Sequence, residues 1–173
     1  FFFKQKTAYE ISTRDWSSDV CSSDLQNKAV GGGVGIAASV DYCFATSAAS
    51  VKLSELVVGI GPFVVGPAVE RKVGLSAMSQ LAINASEWQS AQWAREKGLY
   101  AEVFDTVEAM DAAIQILADK LNNSNPEAMT ELKKIFWANT EHWDQLLFQR
   151  AGISGRLVLS DFTRAAIAKF KAK

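Results

Sequence analysis

Two features of this sequence carry residue types that can do chemistry. The first is a run of three glycines, Gly31-Gly32-Gly33, directly before the small apolar run 34–40, which predicts a tight turn entering a buried helix. Free amides at a helix N-terminus attract negative charge, and glycine lets a ligand carbonyl approach closely. The second is Glu55, a carboxylate among leucines and valines, where partial desolvation would raise its pKa. Together, the amides are suited to stabilise an oxyanion and the carboxylate is suited to act as an acid/base.

Both features also have a purely structural interpretation. A glycine run is often only a turn, and a glutamate between apolar residues is often an exposed residue whose neighbours point inward. The only histidine, His142, supports neither a histidine-based triad nor a metal site. The glycine run matches no nucleotide-phosphate loop, and Cys43 lies in an apolar stretch typical of a buried, inert thiol. Composition alone therefore does not identify an enzyme.

The chain has the composition of a globular protein with one atypical end. It has 173 residues, 49% hydrophobic and 21% charged, with a net charge of −1, which gives no basis for a nucleic-acid or membrane-surface partner. Residues 1–25 show no sustained helical or strand period and no signal-peptide layout. Residues 4–10 and 15–25 back-translate to sequences that resemble the outer primer and adapter of a sequencing library. We therefore expect residues 1–25 to be artefactual, and irregular or loosely attached with few buried contacts.

The elements that must position the turn and Glu55 are predicted by glycine, proline and hydrophobic periodicity. Apolar residues predict a helix over 34–40 closed by Asp41, followed by a short strand over 42–46. The stretch 51–67 contains too many glycines and prolines for a long regular element. Further on, the patterns predict short helices over 68–73 and 76–83, a helix capped by Ser90 and ending at Gly98, a strand over 99–104, and four C-terminal helices beginning near Asp105, Pro126, Trp143 and Ser160.

Three ordered blocks resemble the enoyl-CoA hydratase/isomerase, or crotonase, family. Residues 29–35, AVGGGVG, followed by Asp41, are similar to its glycine turn and buried helix. Residues 52–62, KLSELVVGIGP, are similar to its F-G-x-P-E-x-x-x-G-x-x-P block. Residues 90–99, SAQWAREKGL, are similar to its S-A-x-x-A-x-x-x-G-L segment. The resemblance implies an α/β fold, a truncated crotonase-like ββα superhelix, with its core over 26–104 and a helical C-terminal region over 105–173.

The resemblance also implies the residues of a site. Family members bind acyl-CoA thioesters and stabilise a thioester enolate. Gly32 maps to one oxyanion-hole amide and Glu55 to a catalytic glutamate, with Gly31, Phe63 and Val64 expected to contact the substrate. The second oxyanion amide comes from an upstream strand-end segment that has no counterpart here, so we expect this chain alone to be inactive. No metal or cofactor is expected, because coenzyme A is part of the substrate.

The reaction within the family stays open between three alternatives. Hydratases resemble one another in placing a second glutamate two residues after the glycine turn, where this sequence has Gly35. A single carboxylate suffices to move a proton between carbons of an enolate, and a Pro-Phe step like Pro62-Phe63 resembles family isomerases. This favours an enoyl-CoA isomerase acting in fatty-acid metabolism. The alternatives are an enoyl-CoA hydratase and a non-catalytic acyl-CoA-binding protein.

The remaining expectations concern partners and location. The resemblance implies a homo-trimer or hexamer for the complete protein. The net charge of −1 and the lack of an apolar run long enough to span a bilayer lead us to expect neither a nucleic acid nor a membrane as a partner. Without residues 1–25, Cys43 is the one cysteine left. It cannot form an internal disulfide, which is typical of a reducing, cytoplasmic setting.

Overall fold

The structure is a computed structural model that describes residues 2–3 and 22–171. Strands alternate with helices in its first part, and helices alone form its last part. The strands are β1 Phe2–Phe3, β2 Ser22–Leu25, β3 Lys28–Val30, β4 Tyr42–Thr46, β5 Ser50–Lys52, β6 Gln89–Ser90 and β7 Glu102–Phe104. The helices are α1 Gly32–Ser39, α2 Gly66–Ile83, α3 Ala91–Glu96, α4 Val107–Asn122, α5 Pro126–Phe136, α6 Trp143–Val158 and α7 Asp161–Lys171, with a 3-10 turn over Glu55–Val58.

Successive strands enter two different sheets, which gives the ββα pattern that the family resemblance implied. One sheet has the order β1-β2-β4-β7 and is parallel throughout. The other has the order β3-β5-β6, with β3 parallel and β6 antiparallel to β5. In the first two units, β2 with β3 and β4 with β5, one strand joins each sheet before the chain turns into the elements that follow. This α/β fold confirms the predicted class.

Strand β2 lies inside the segment that the sequence predicted to be irregular. It pairs with β4 along its length, from Ser22 opposite Tyr42 to Leu25 opposite Ala45, and Leu25 packs against the buried core. The prediction of an irregular, loosely attached segment is therefore wrong for residues 22–25 and for β1. Strand pairing uses backbone groups that every non-proline residue carries, so a polar segment can complete the sheet. The rest of residues 1–25 lies outside the described residues.

The core packs against one face of α1, whose small side chains allow a close approach, while Ile36 on the other face is 49% exposed. Val34, Ala37 and Ala38 of α1 are buried, as are Val51 of β5 and Val69 of α2. Helix α2 is interrupted at Gly74, which has φ 78° and ψ 160°. This conformation favours glycine and divides the helix where the sequence predicted two shorter ones.

Side-chain caps begin most of the later helices. Ser90 accepts a hydrogen bond from the amide of Trp93 at 3.1 Å, as the sequence predicted. The cap of α4 is Thr106, which accepts from Ala109, so the predicted start at Asp105 is displaced by one residue. Asn125 caps α5 in front of Pro126. In the described residues, no helix has the length and apolar character needed to cross a bilayer.

Candidate active site

The glycine turn connects strand β3 to helix α1. Gly31 has φ 52° and ψ −110°, a conformation open to glycine, and its amide donates to the carbonyl of Lys52 at 3.0 Å. The carbonyl of Gly31 then accepts from Val34 and Gly35, which closes the first turn of the helix. The amides of Gly32 and Gly33 stand where a helix supplies no acceptor. The turn therefore presents backbone donors at a helix N-terminus.

Gly32 is the exposed member of this turn. A Cβ atom built on it meets no other atom within 4 Å, whereas one built on Gly33 meets the Cβ of Ala29 at 3.6 Å. Open space therefore lies beside the Cα atom of Gly32.

Glu55 begins the 3-10 turn after β5. The turn is fixed by two backbone hydrogen bonds of 3.0 Å, from Gly59 to the carbonyl of Leu56 and from Ile60 to the carbonyl of Glu55. The glycines and prolines around the turn prevent a longer element, so the carboxylate stands on a short, closed loop.

The surroundings of Glu55 make its carboxyl a weaker acid than a glutamate in water. Burial raises the pKa of the carboxyl above its ordinary value, and a hydrogen bond with its own backbone works in the opposite direction. Oxygen Oε2 is buried and has no hydrogen-bond partner among the described residues. The ionised form of such a carboxyl is a stronger base than an ordinary glutamate, which suits it to accept a proton.

The glycine turn and Glu55 lie against each other. A Cβ atom built on Gly31 would stand 2.8 Å from Oε1 of Glu55 and 3.5 Å from its carboxyl carbon. The carboxylate therefore occupies the space that a side chain at residue 31 would need, next to the open side of Gly32. The structure thus brings together three residues that the sequence singled out.

Gly35 lies one turn into α1 and packs tightly against the residue before α2. A Cβ atom built on it would stand 2.7 Å from Cγ1 of Val65 and 3.0 Å from its Cβ. A side chain at this position would collide with Val65 unless the two helices moved apart. Residue 35 is therefore a packing position, a role that its sequence context did not reveal.

The contacts described for Phe63 and Val64 do not join them to Glu55 or the glycine turn. The amide of Phe63 donates to the carbonyl of Gly61 at 2.7 Å, and its ring folds back over Gly61. Val64 is 44% exposed. The expected substrate contacts of Gly31, Phe63 and Val64, like the catalytic roles of Gly32 and Glu55, stay predictions.

Helix α7 reaches the Glu55 loop from the far end of the chain. A Cβ atom built on Gly59, which has φ 81°, would stand 2.5 Å from Cδ1 of Phe162 and 2.7 Å from Oγ1 of Thr163. Thr163 is completely buried, and its hydroxyl accepts from that of Ser160 at 3.1 Å. The contact could not be predicted from the sequence, because the partners are about a hundred residues apart and only the Ser160 cap is a local pattern.

The described residues offer no competing site of stronger chemistry. They contain no group of three or more His, Cys, Asp or Glu side chains that could hold a metal ion. A shallow depression elsewhere includes neither Glu55 nor the glycine turn, and no charged side chain lines it. Its lining residues are Ser79, Gln80, Ile83, Asn84 and Gln89.

Comparison with known proteins agrees with the family resemblance of the sequence. The family model described as enoyl-CoA hydratase/isomerase matches residues 17–163, most of the chain, and begins within the segment 1–25. No curated protein sequence matches the chain significantly.

Solved structures of related proteins share the fold. A putative enoyl-CoA hydratase from Mycobacterium avium paratuberculosis aligns with a TM-score of 0.80 and 23% identity over 87% of this chain and 59% of its own. An enoyl-CoA hydratase/isomerase from Pseudoalteromonas atlantica aligns with a TM-score of 0.79 and 19% identity, over 87% of this chain and 61% of its own. A putative polyketide biosynthesis enoyl-CoA hydratase from Bacillus subtilis aligns with a TM-score of 0.76 and 20% identity, over 87% of this chain and 59% of its own. The chain thus spans about three fifths of the length of these proteins.

Proposed function

The chain belongs to the enoyl-CoA hydratase/isomerase family, and from this we propose that the complete protein is an enoyl-CoA isomerase that uses Glu55 as its single acid/base. The observation that carries the proposal is the contact between Gly31 and Glu55, which sets one carboxylate beside the amides of the glycine turn. Family members act on acyl-CoA substrates, so the ligand of this turn is the thioester oxygen.

The proposed reaction moves one proton and one double bond. Ionised Glu55 removes a proton from C2 of a 3-enoyl-CoA, and the electron pair shifts so that the thioester oxygen becomes an enolate. The amide of Gly32 donates to that oxygen and stabilises its charge. Glu55 then returns the proton to C4, which leaves a 2-enoyl-CoA. No atom is gained or lost, and the glutamate ends the cycle ionised as it began.

Isomerisation is favoured over hydration because Glu55 is the one carboxylate that the described residues are seen to place against this turn. Hydration needs a water that is held and activated, a task for which two carboxylates are suited. The position that resembles the second glutamate of hydratases is Gly35, and Val65 stands where its side chain would begin. Water addition would therefore need an acid/base from another part of the protein.

Further proposals follow from family membership. Coenzyme A enters as part of the substrate, and the reaction as written needs no separate cofactor. Phe63 and Val64 shape the acyl pocket. A homo-trimer or hexamer in the cytoplasm is proposed for the complete protein, with the exposed apolar residues of α5 available for subunit contacts. These residues are Leu132, Ile135 and Phe136.

The experiment that tests this function compares Glu55→Gln with a matched glutamate. The protein encoded by the complete open reading frame is given 3-enoyl-CoA or 2-enoyl-CoA, and products are separated by chromatography. We expect conversion of 3-enoyl-CoA to 2-enoyl-CoA, reduced about a hundredfold or more by Glu55→Gln. Glu87→Gln, at an exposed position, should leave the rate unchanged. The present 173-residue chain, assayed alongside, should turn over neither substrate.

The other outcomes separate the alternatives. Formation of 3-hydroxyacyl-CoA from 2-enoyl-CoA as the main reaction would make the protein a hydratase. Binding of both thioesters without turnover would make it an acyl-CoA-binding protein. An isomerase rate that Glu55→Gln leaves unchanged would remove Glu55 from the mechanism.

A further inference from the structure

Helix α7 contacts the loop that carries Glu55 at the residue that ends it. Gly59 follows the 3-10 turn, and the side chains of Phe162 and Thr163 occupy the space where its Cβ atom would be. A helix close to the end of the described chain thereby closes the far side of a loop whose near side holds the carboxylate.

Each component of this contact is fixed by its own local bonds. Ser160 accepts from the amide of Thr163 at 3.3 Å and donates from its hydroxyl to Oγ1 at 3.1 Å, which sets the first turn of α7. On the opposite side, the amide of Ile60 donates to the carbonyl of Glu55 itself. A displacement of α7 would therefore be transmitted through Gly59 and Ile60 to the backbone of Glu55.

The conformation of Gly59 makes the contact close. Its φ of 81° lies in the left-handed region, and the absence of a side chain lets the aromatic ring and the hydroxyl reach the backbone. Because packed contacts are stiff, the ring and the hydroxyl restrict the loop more strongly than solvent would.

We infer that Phe162 and Thr163 are positioning residues, which hold the Glu55 loop in its reactive geometry through their contact with Gly59. The inference rests on the proposed function, in which Glu55 moves the proton. It adds that the reactive position of the carboxylate depends on the C-terminal helix of the chain, more than one hundred residues away in sequence.

Two pairs of variants test the inference. Phe162→Ala removes the ring at Gly59, and Phe148→Ala removes an equally large, exposed ring on α6 as its control; the two residues are 67% and 82% exposed. Thr163→Ala removes the hydroxyl at Gly59, and Thr163→Ser retains it. Since Thr163 is fully buried, its substitution cannot act by disturbing a surface contact with another molecule.

The first measurement is hydrogen exchange on the full chain, followed at the amides of Gly59 and Ile60. We expect Phe162→Ala and Thr163→Ala to speed exchange there, with no change for Phe148→Ala and Thr163→Ser and with similar melting temperatures throughout. Unchanged exchange in both alanine variants would overturn the inference.

The second measurement is steady-state isomerisation by the complete protein. In Phe162→Ala and Thr163→Ala, Glu55 is positioned less firmly, which should lower kcat by about ten- to a hundredfold. KM should stay within about twofold, because the substrate contacts are intact. Faster exchange with an unchanged kcat would also overturn the inference. If the unmodified protein turns over neither thioester, the proposed function is wrong and the catalytic part of the inference fails with it, whereas the exchange data still decide whether α7 holds the loop.

Discussion

Oxygen Oε1 of Glu55 lies 2.8 Å from the point where a Cβ atom of residue 31 would stand, so Gly31 and Glu55 fit together only because residue 31 has no side chain. The carboxylate is thereby held against the glycine turn, in which the Cβ position of the neighbouring Gly32 is open. This contact joins the two features that carry chemistry in the sequence. It also makes specific predictions about which glycine of the run tolerates a methyl group.

Substitution of Gly31 by alanine should displace Glu55, whereas the same change at Gly33 should not. At residue 31 the new methyl group meets the carboxylate, and the φ of 52° adds backbone strain. At residue 33 it makes an ordinary contact of 3.6 Å with Ala29. We expect Gly31→Ala to lower isomerase turnover of the complete protein by about tenfold or more, and Gly33→Ala to change it little. Equal turnover in the two variants would show that Glu55 does not depend on the contact with Gly31.

Gly32→Ala should separate activity from stability. Nothing lies within 4 Å of its Cβ position, so the chain itself has room for the methyl group, and alanine is the better helix former. The methyl group would instead stand in the open space through which the thioester oxygen approaches the amide. We expect an unchanged or higher melting temperature together with a clear loss of turnover. A normal turnover would exclude the proposed oxyanion contact at Gly32.

The raised pKa of Glu55 should appear in the pH dependence of stability. Burial favours the protonated carboxyl, so folded protein binds this proton more tightly than unfolded protein does. The free energy of unfolding therefore falls as pH rises from the ordinary value of 4.5 through the higher pKa of the folded state. Glutamine cannot ionise, so Glu55→Gln should be more stable relative to the parent at pH 7 than at pH 4.

Thermal melts of Glu55→Gln and Glu87→Gln at both pH values check this effect. The exposed Glu87 serves as the control, for which the difference from the parent should be similar at the two pH values. Because Glu55 is only about half buried, we expect a small difference of consistent sign. A larger advantage of Glu55→Gln at pH 4 would contradict the direction of the pKa shift.

Gly35 and Val65 should show strong energetic coupling. Glycine to alanine within a helix usually stabilises by about 0.5–1 kcal/mol, but here the new methyl group would collide with Val65. We expect Gly35→Ala to destabilise by about 1–3 kcal/mol, and much less when combined with Val65→Ala. A double-mutant cycle by urea unfolding measures the coupling. Additive effects would mean that the helices separate freely at this point.

Interactions between residues close in sequence could be predicted, whereas contacts between residues far apart in sequence could not. Ser90 and Gly74 act on neighbouring residues, so their cap and break could be predicted locally. Phe162 contacts Gly59, and Val65 contacts Gly35, through packing between elements that a pattern within one element does not report. Strand β2 was missed for a related reason, because its polar residues join the sheet through backbone bonds to β4.

The same distinction applies to Asp41, for which the sequence predicted only a position at the end of α1. Its carboxylate accepts from Nζ of Lys133 and from Nε1 of Trp137, each at 2.7 Å, and so ties helix α5 to the core. The side chains of Asp41 and Lys133 are only 7% and 11% exposed. A second ion pair involving α5, Lys134 with Glu131 at 2.7 Å, is by contrast more than half exposed. The two pairs share one helix and one distance and differ in burial.

This difference predicts unequal costs for removing an acid. Asp41→Ala leaves the buried ammonium of Lys133 and the indole N–H of Trp137 without their carboxylate, which should cost about 3–5 kcal/mol of unfolding free energy. Glu131→Ala removes an exposed pair and should cost less than about 1 kcal/mol. Adding Lys133→Met to Asp41→Ala removes the unpaired charge, so the double variant should be more stable than Asp41→Ala alone. Urea unfolding followed by tryptophan fluorescence measures the free energy of unfolding of the parent and the three variants. Similar losses for Asp41→Ala and Glu131→Ala, with no recovery in the double variant, would show that the buried pair does not hold α5 to the core.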